Sequence, residues 1–299
     1  RQVCRMDRFS YLLATGISTG ALYALVALGL VVVYKATSVV NFAHGEMFMF
    51  GGFLAFTFHV MWGWQYIVAL VLAVVGAFVL GIGVDRVAFR PLMQRQTLVS
   101  VLLCMVGLSF FLKGLARHLW GGKGDYLTFP PLVSPEPMEF LGIMIMSQQL
   151  VVLVACGIVM AVFIVFFKFT RAGRFMQATA DNPKAARLVG LRVDRVYMMT
   201  FGVGSAVAGA AAVLMAPLTL LYPDIGFMLF IKGFAAAVLG GLTSIPGALL
   251  GGFLIGIIEQ MAAGYIHTGL QEVAAFIIIM VVMIFRPTGL LGGSKRRKV

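Results

Sequence analysis

The feature that most constrains this chain is a set of long apolar runs that contain no acidic or basic side chain. Residues 68–84, 150–167 and 276–285 are three examples. A helix of about 17–25 apolar residues crosses the hydrocarbon core of a bilayer and satisfies its own backbone hydrogen bonds there. Only 11% of the 299 residues are charged, against about 25% in soluble domains. The sequence therefore predicts an all-α polytopic membrane protein.

The apolar runs divide the chain into nine segments. They lie near residues 9–34, 46–62, 66–84, 98–116, 143–167, 197–217, 227–243, 247–264 and 273–286. Segment 46–62 is short and rich in glycine, which permits an interrupted helix. Nine full crossings would place the N-terminus outside, and Arg1, Arg5 and Arg8 oppose that placement. We expect eight full crossings plus one broken or re-entrant segment, with nine crossings as the alternative.

The net charge is +12, and the basic residues cluster at the ends of the apolar segments. Such clusters mark cytoplasmic loops. We therefore predict one transmembrane domain over residues 1–299, with a cytoplasmic loop at 168–196 and a basic cytoplasmic tail at 286–299. No aromatic residue is interleaved with the bases of the tail, so nucleic acid is not an expected partner, whereas the lipid bilayer is.

The longest loop expected outside the cytoplasm runs from about residue 120 to residue 139. It contains Pro130, Pro131, Pro135 and Pro137, which predict an irregular, surface-exposed segment. This loop is either a docking surface for an extracytoplasmic partner or a simple connector.

The basic loop at 168–196 contains a short helix with its own start and stop signals. Asn182 can cap its N-terminus, and Pro183 at the first helical position loses no useful N–H. Gly190 can adopt the left-handed conformation that ends a helix. A compact helix between two spans predicts a contact with a cytoplasmic partner.

Several polar residues lie where apolar residues are expected, and charge within a span is costly. Residues 41–46 form the densest cluster, which is either a broken-helix junction beside a transport path or a cytoplasmic turn. Residues 243–247 are either a tight turn between two spans or a break within a bent one. Glu259 is expected to pair with a base or a helix N-terminus, and Lys232 to reach the outer interface. Interfacial positions are expected for His59, Lys113, His118 and His267.

Motifs of known catalytic or metal chemistry are missing from the sequence. It has no G-x-x-x-x-G-K-[ST] phosphate loop, no H-E-x-x-H and no G-x-S-x-G. Each of these would position a nucleophile, a metal or a nucleotide. The three cysteines, Cys4, Cys104 and Cys156, have no metal or redox spacing. We predict that the chain is not an enzyme and binds no cofactor or metal.

Four blocks, in this order, carry a resemblance that covers nearly the whole chain. They are residues 40–46, 182–190, 234–247 and 286–292. In them the chain resembles the permease subunits of ABC importers for branched-chain amino acids. The resemblance implies the ABC importer permease fold in a bacterial inner membrane, with a cytoplasmic C-terminus. It also implies a second permease subunit, two ATP-binding subunits that hold ATP and Mg, and a periplasmic solute-binding protein.

The resemblance assigns roles to two groups of residues. Lys184-Ala185-Ala186-x-x-x-Gly190 matches the E-A-A-x-x-x-G element that docks on the ATP-binding subunit, with Lys184 where the family has Glu. The implied coupling residues are Asn182, Pro183, Lys184, Ala185, Ala186, Arg187 and Gly190, with the methyl groups of Ala185 and Ala186 anchoring the helix. The implied path residues are Asn41, Phe42, Glu46, Gly240, Gly241, Thr243 and Ser244.

Two kinds of alternative stay open at this point. Relatives of this fold carry urea, amides or aromatic acids, and no residue of the sequence distinguishes these substrates. A different class, an ion-coupled secondary transporter, would use the intramembrane carboxylates Glu46 and Glu259. That class offers no role for the capped helix at 182–190.

Overall fold

The computed structural model describes residues 2–93, 98–121, 126–134, 136–140 and 143–292. The helices are α1 Gln2–Thr37, α2 His44–Phe56, α3 Tyr66–Val84, α4 Arg90–Met93, α5 Leu98–Trp120, α6 Ser147–Phe169, α7 Arg171–Asp181, α8 Pro183–Leu188, α9 Val193–Met215, α10 Ile225–Gly240, α11 Ile245–Tyr265 and α12 Leu270–Phe285. A π-helical turn, Thr57–Met61, continues α2, and another, Asp85–Phe89, joins α3 to α4. Strands β1 Pro137–Phe140 and β2 Ile143–Met146 pair antiparallel, with Pro137 opposite Met146.

The helices agree closely with the apolar segments. Within the described residues, six helices are long and apolar enough to cross a membrane, and two shorter apolar helices, α10 and α12, join them. With α2 these make nine apolar segments, in the order predicted from sequence. The fifth segment starts later than expected, because residues 143–146 form β2 and α6 begins at Ser147.

The broken segment, residues 46–62, is a pass through the bundle that is preceded by irregular backbone. Residues between α1 and α2 are not helical, and Ser38 adopts a positive φ of 57°. The far end of this pass lies away from the end of α1, since His59 stacks on Phe129 in the loop after α5. The segment is therefore broken but not re-entrant, and it returns the chain to the opposite end of the bundle.

That pass places the start of α1 and the end of α12 at opposite ends of the bundle, contrary to the expectation for an N-terminus on the cytoplasmic side. Arg8 has partners at this end: it donates a hydrogen bond to the Gly264 carbonyl at the end of α11 and lies 5.5 Å from the centroid of the Tyr265 ring. The end of α11 thus accommodates the charge of Arg8, whereas the side chains of Arg1 and Arg5 lie outside the described part of the chain.

Helix α1 occupies the centre of the bundle because glycines let α11 pack against it. A Cβ added at Gly252 would overlap the backbone of Ala24, and one added at Gly256 would overlap Gly20. Small residues bring helix backbones close together and increase their van der Waals contact. Residues 21–28 of α1 are fully buried as a result.

The loop at 120–139 is anchored more firmly than its prolines suggest. Leu127 forms a backbone bridge with Leu221, and the side chains of Leu127 and Phe129 are buried. The expectation of a surface-exposed segment is wrong for these two residues, since they join the apolar core at this end of the bundle.

Candidate functional site

Helix α8 has the ends that the sequence predicts. The Asn182 side-chain oxygen accepts hydrogen bonds from the backbone N–H groups of Lys184 and Ala185, both at 3.1 Å. Pro183 is the first helical residue. Gly190 has a φ of +84°, and the N–H of Leu191 closes the helix on the carbonyl of Ala186 at 3.0 Å. The capping geometry predicted for this helix is confirmed.

The side chains that α8 buries and exposes are not the ones expected from the sequence. Ala186 is only 4% exposed and packs against the rest of the chain. The apolar residues that face outward are Ala185, Leu188 at 89% exposure and Val189 at 78%. Ala186 is therefore an internal packing residue and not a surface anchor, because the path from α7 to α9 turns its side chain inward.

Two basic residues meet one acid where α8 joins the bundle. Asp194, in the first turn of α9, lies 2.9 Å from Arg90 and 3.9 Å from Arg187. All three side chains are partly exposed, so each pair contributes little stability, about 0–1 kcal/mol. The arrangement nevertheless connects the short helix to the start of α4. The sequence did not single out Asp194 or Arg90, which lie far apart in the chain.

The polar cluster at 41–46 forms the start of α2 inside the bundle. The Asn41 side-chain oxygen accepts a hydrogen bond from the Ala43 N–H at 3.0 Å. Glu46 is 1% exposed and accepts a 2.8 Å hydrogen bond from the Ser109 hydroxyl. Lys113, expected at the interface, lies 3.8 Å from Glu46 and 3.5 Å from the half-exposed Asp224, and thus stands between a buried and a surface acid.

The start of α2 meets the start of α10. Gly45 and Gly226 have their backbones in contact, and a Cβ on either would overlap the other. Phe42 and Phe230 pack beside them, with ring centroids 5.5 Å apart. Two helix N-termini therefore converge next to Glu46, as in transport proteins with discontinuous helices.

The second predicted group, at 240–244, has a different environment. A Cβ at Gly240 would overlap the Gly247 carbonyl, and Gly241 has a φ of +106°. The N–H groups of Leu290 and Leu291 donate to the carbonyls of Leu239 and Gly240, at 2.8 and 2.9 Å. Gly240 thus packs closely against α11 and Gly241 against the segment after α12. Their assignment to the path stays a prediction.

The turn after this packed pair separates α10 from α11. Ser244 accepts a 3.1 Å hydrogen bond from the Gly247 N–H and caps α11. Thr243 lines a cavity of about 510 Å³, together with Lys35 and Asp181. Asn41, Phe42 and Glu46 are not among the residues that line this cavity.

A second buried carboxylate is neutralised deep in the bundle. Lys232 of α10 lies 2.6 Å from Glu259 of α11, and the Tyr23 hydroxyl donates to the same oxygen at 3.2 Å. The expected pairing of Glu259 with a base is confirmed. The expected extension of Lys232 to the interface is wrong, because the carboxylate offers its ammonium a closer partner.

A bundle of apolar helices, with charged clusters in its interior and a short capped helix at its surface, defines a multi-pass membrane protein. A family model described as branched-chain amino acid transport system / permease component matches residues 12–285, and the chain belongs to that family. It is accordingly a transport permease subunit and not an enzyme, with no cofactor of its own.

Individual relatives match over nearly the full length. The chain is 34% identical to the high-affinity branched-chain amino acid transport system permease protein LivH of Escherichia coli, over 98% of this chain and 99% of that protein. It is 35% identical to the corresponding protein BraD of Pseudomonas aeruginosa, over 96% and 97%. One chain of the solved structure "PsaBC from Streptococcus pneumoniae in complex with Fab" aligns over 95% of this chain and 92% of its own, at 11% identity and a TM-score of 0.45, which is too low to support an inference.

Proposed function

We propose that this chain is the permease subunit of an importer that moves branched-chain amino acids across a bacterial inner membrane. Its residues 1–299 form one translocation domain, and its C-terminus faces the cytoplasm. The proposal is supported by full-length identities of 34% and 35% to permeases named for that substrate class. The complex includes a second permease subunit, two ATP-binding subunits that hold ATP and Mg, and a periplasmic solute-binding protein.

Helix α8 is the coupling element in this proposal. The observation that carries it is the pair of exposed apolar side chains, Leu188 and Val189, on a short, capped helix. Exposed apolar side chains next to polar ones mark a protein contact. The resemblance supplies the partner, an ATP-binding subunit. Lys184, Ala185 and Arg187 border the same surface, whereas Asn182, Pro183, Ala186 and Gly190 shape the helix.

The transport path is proposed to run beside the meeting point of α2 and α10. Asn41, Phe42 and Glu46 lie there, and Glu46 gives the site a charge inside the apolar bundle. Thr243 borders the separate cavity at the end of α1. In this scheme ATP binding moves α8, and the movement separates helices that pack through glycine contacts.

The ion-coupled alternative finds less support in these contacts. Glu259 is paired with Lys232, and Glu46 has Ser109 and Lys113 close to one of its oxygens. A carboxylate that carries a coupling ion must release its partner in each cycle. An uptake assay distinguishes the alternative substrates: urea, amides and aromatic acids are each tested as competitors of labelled branched-chain amino acid uptake.

The coupling role is tested by a charged and an apolar substitution of Leu188 on the exposed face of α8. Leu188→Glu places a charge on the exposed face, where it is expected to abolish ATP-dependent uptake while the purified chain keeps its melting temperature. Leu188→Met, which keeps an apolar side chain of similar volume at the same position, is the matched control and should transport normally. Normal ATP-dependent uptake by a complex that carries Leu188→Glu contradicts the coupling role.

A further inference from the structure

The cluster at the start of α2 contains a carboxylate oxygen without a hydrogen-bond partner. Glu46 Oε1 accepts the Ser109 hydroxyl, but Glu46 Oε2 is buried and contacts no donor among the described residues. Its carboxylate is 99% buried, since Glu46 is 1% exposed. An unsatisfied buried carboxylate oxygen is costly, so its presence at the meeting point of two helix N-termini indicates a ligand that donates hydrogen bonds.

A cation lies beside this carboxylate at a distance longer than a hydrogen bond. Lys113 Nζ is 3.8 Å from Glu46 Oε1 and 3.5 Å from Asp224 Oδ1. Lys113 is 14% exposed, whereas Asp224 is half exposed at the surface. The lysine is therefore held loosely between an internal and a surface acid, and its ammonium can turn to another anion.

The walls next to these two charges are aromatic. Phe42 and Phe230 stand in contact at the same helix junction, and Lys113 Nζ lies 4.9 Å from the centroid of the Phe227 ring. Such a wall accommodates an apolar side chain. The site thus combines a hydrogen-bond acceptor with negative charge, a movable positive charge and an apolar surface.

We propose that Glu46 and Lys113 form the recognition site for a zwitterion with an apolar side chain. The substrate ammonium donates a hydrogen bond to Glu46 Oε2. Lys113 turns from Glu46 to pair with the substrate carboxylate, and the substrate side chain packs against Phe42 and Phe230. The site rests on the proposed function and sharpens it, because urea and amides carry neither charge. It is closed here by the Gly45–Gly226 contact, so substrate enters when the starts of α2 and α10 separate.

The site is tested by displacement of labelled leucine from the purified complex of this chain with its partner subunits, without the binding protein. Leucinamide lacks the carboxylate and 4-methylpentanoate lacks the ammonium. Leucine is expected to displace the label at least 10-fold more effectively than either analogue, since one charge-assisted hydrogen bond contributes about 10- to 100-fold. Equal displacement by an analogue, or no saturable leucine binding, overturns the site.

Substitutions distinguish a substrate-binding role of Glu46 and Lys113 from a purely structural role. Glu46→Gln and Lys113→Gln are each expected to lower ATP-driven leucine uptake per assembled complex at least 10-fold, and Glu46→Asp should recover part of the uptake. Arg117→Gln is the control, because Arg117 contacts only the surface acid Asp224 among the members of the cluster. If Glu46→Gln fails to assemble, Lys113→Gln decides the result alone.

Unchanged uptake in Lys113→Gln, or a loss equal to that of Arg117→Gln, overturns the site. The proposed function fails in a different way, when the wild-type complex shows no ATP-driven leucine uptake at all. Leucine binding to the complex is still measured in that case, so the two failures are distinguishable.

Discussion

Removing one partner of the Lys232–Glu259 pair should destabilise the protein far more than removing both. The pair is 2.6 Å apart, and Glu259 is 1% exposed. Lys232→Met leaves an uncompensated carboxylate in a low-dielectric interior, with only the Tyr23 hydroxyl as a partner. Breaking a buried ion pair costs about 3–5 kcal/mol, which corresponds to a fall in melting temperature of about 6–10 °C in a chain of this size.

The double variant, Lys232→Met with Glu259→Gln, removes both charges and keeps a hydrogen-bonding group for Tyr23. Its free energy of unfolding should lie within about 1 kcal/mol of the wild type, because well-packed neutral residues commonly replace a buried pair without loss. The assay is thermal unfolding in detergent, in which labelling of the buried Cys156 thiol reports the unfolded fraction. Additive losses in the double variant, or a single variant as stable as the wild type, would refute a neutralising pair.

Three further substitutions and one control substitution test the packing and the cap. Gly252→Leu should prevent α11 from packing on α1 and lower the yield of folded protein, whereas Gly157→Leu, where an added Cβ meets no atom within 4 Å, should express normally. Gly240→Val should fail in the same way as Gly252→Leu, because its side chain would overlap the Gly247 carbonyl. Asn182→Ala should lower the free energy of unfolding by about 1 kcal/mol, measured by chemical denaturation, and an unchanged value would contradict the capping role.

The sequence predicts the helices well because hydropathy and local capping act within one segment. Helix α3 has the same bounds as the predicted segment 66–84. Helix α8 begins and ends where Asn182 and Gly190 indicate, because both signals depend only on neighbouring backbone. These predictions need no knowledge of how the helices pack.

Properties that depend on packing between distant helices were not predictable from sequence. Lys232 could either reach the interface or meet a carboxylate, and the choice depends on the rotation of α10 against α11. The inward direction of Ala186 depends in the same way on how α8 sits between α7 and α9. Gly240 was assigned to the path, but a side chain there would overlap the Gly247 carbonyl of α11.

The most direct test of an ATP-driven permease is leucine uptake into proteoliposomes that contain this chain with its partner subunits and binding protein. Uptake is expected to require ATP on the side of the ATP-binding subunits and to persist when ionophores collapse all ion gradients. Uptake by this chain alone, without nucleotide and driven by an ion gradient, would contradict the account.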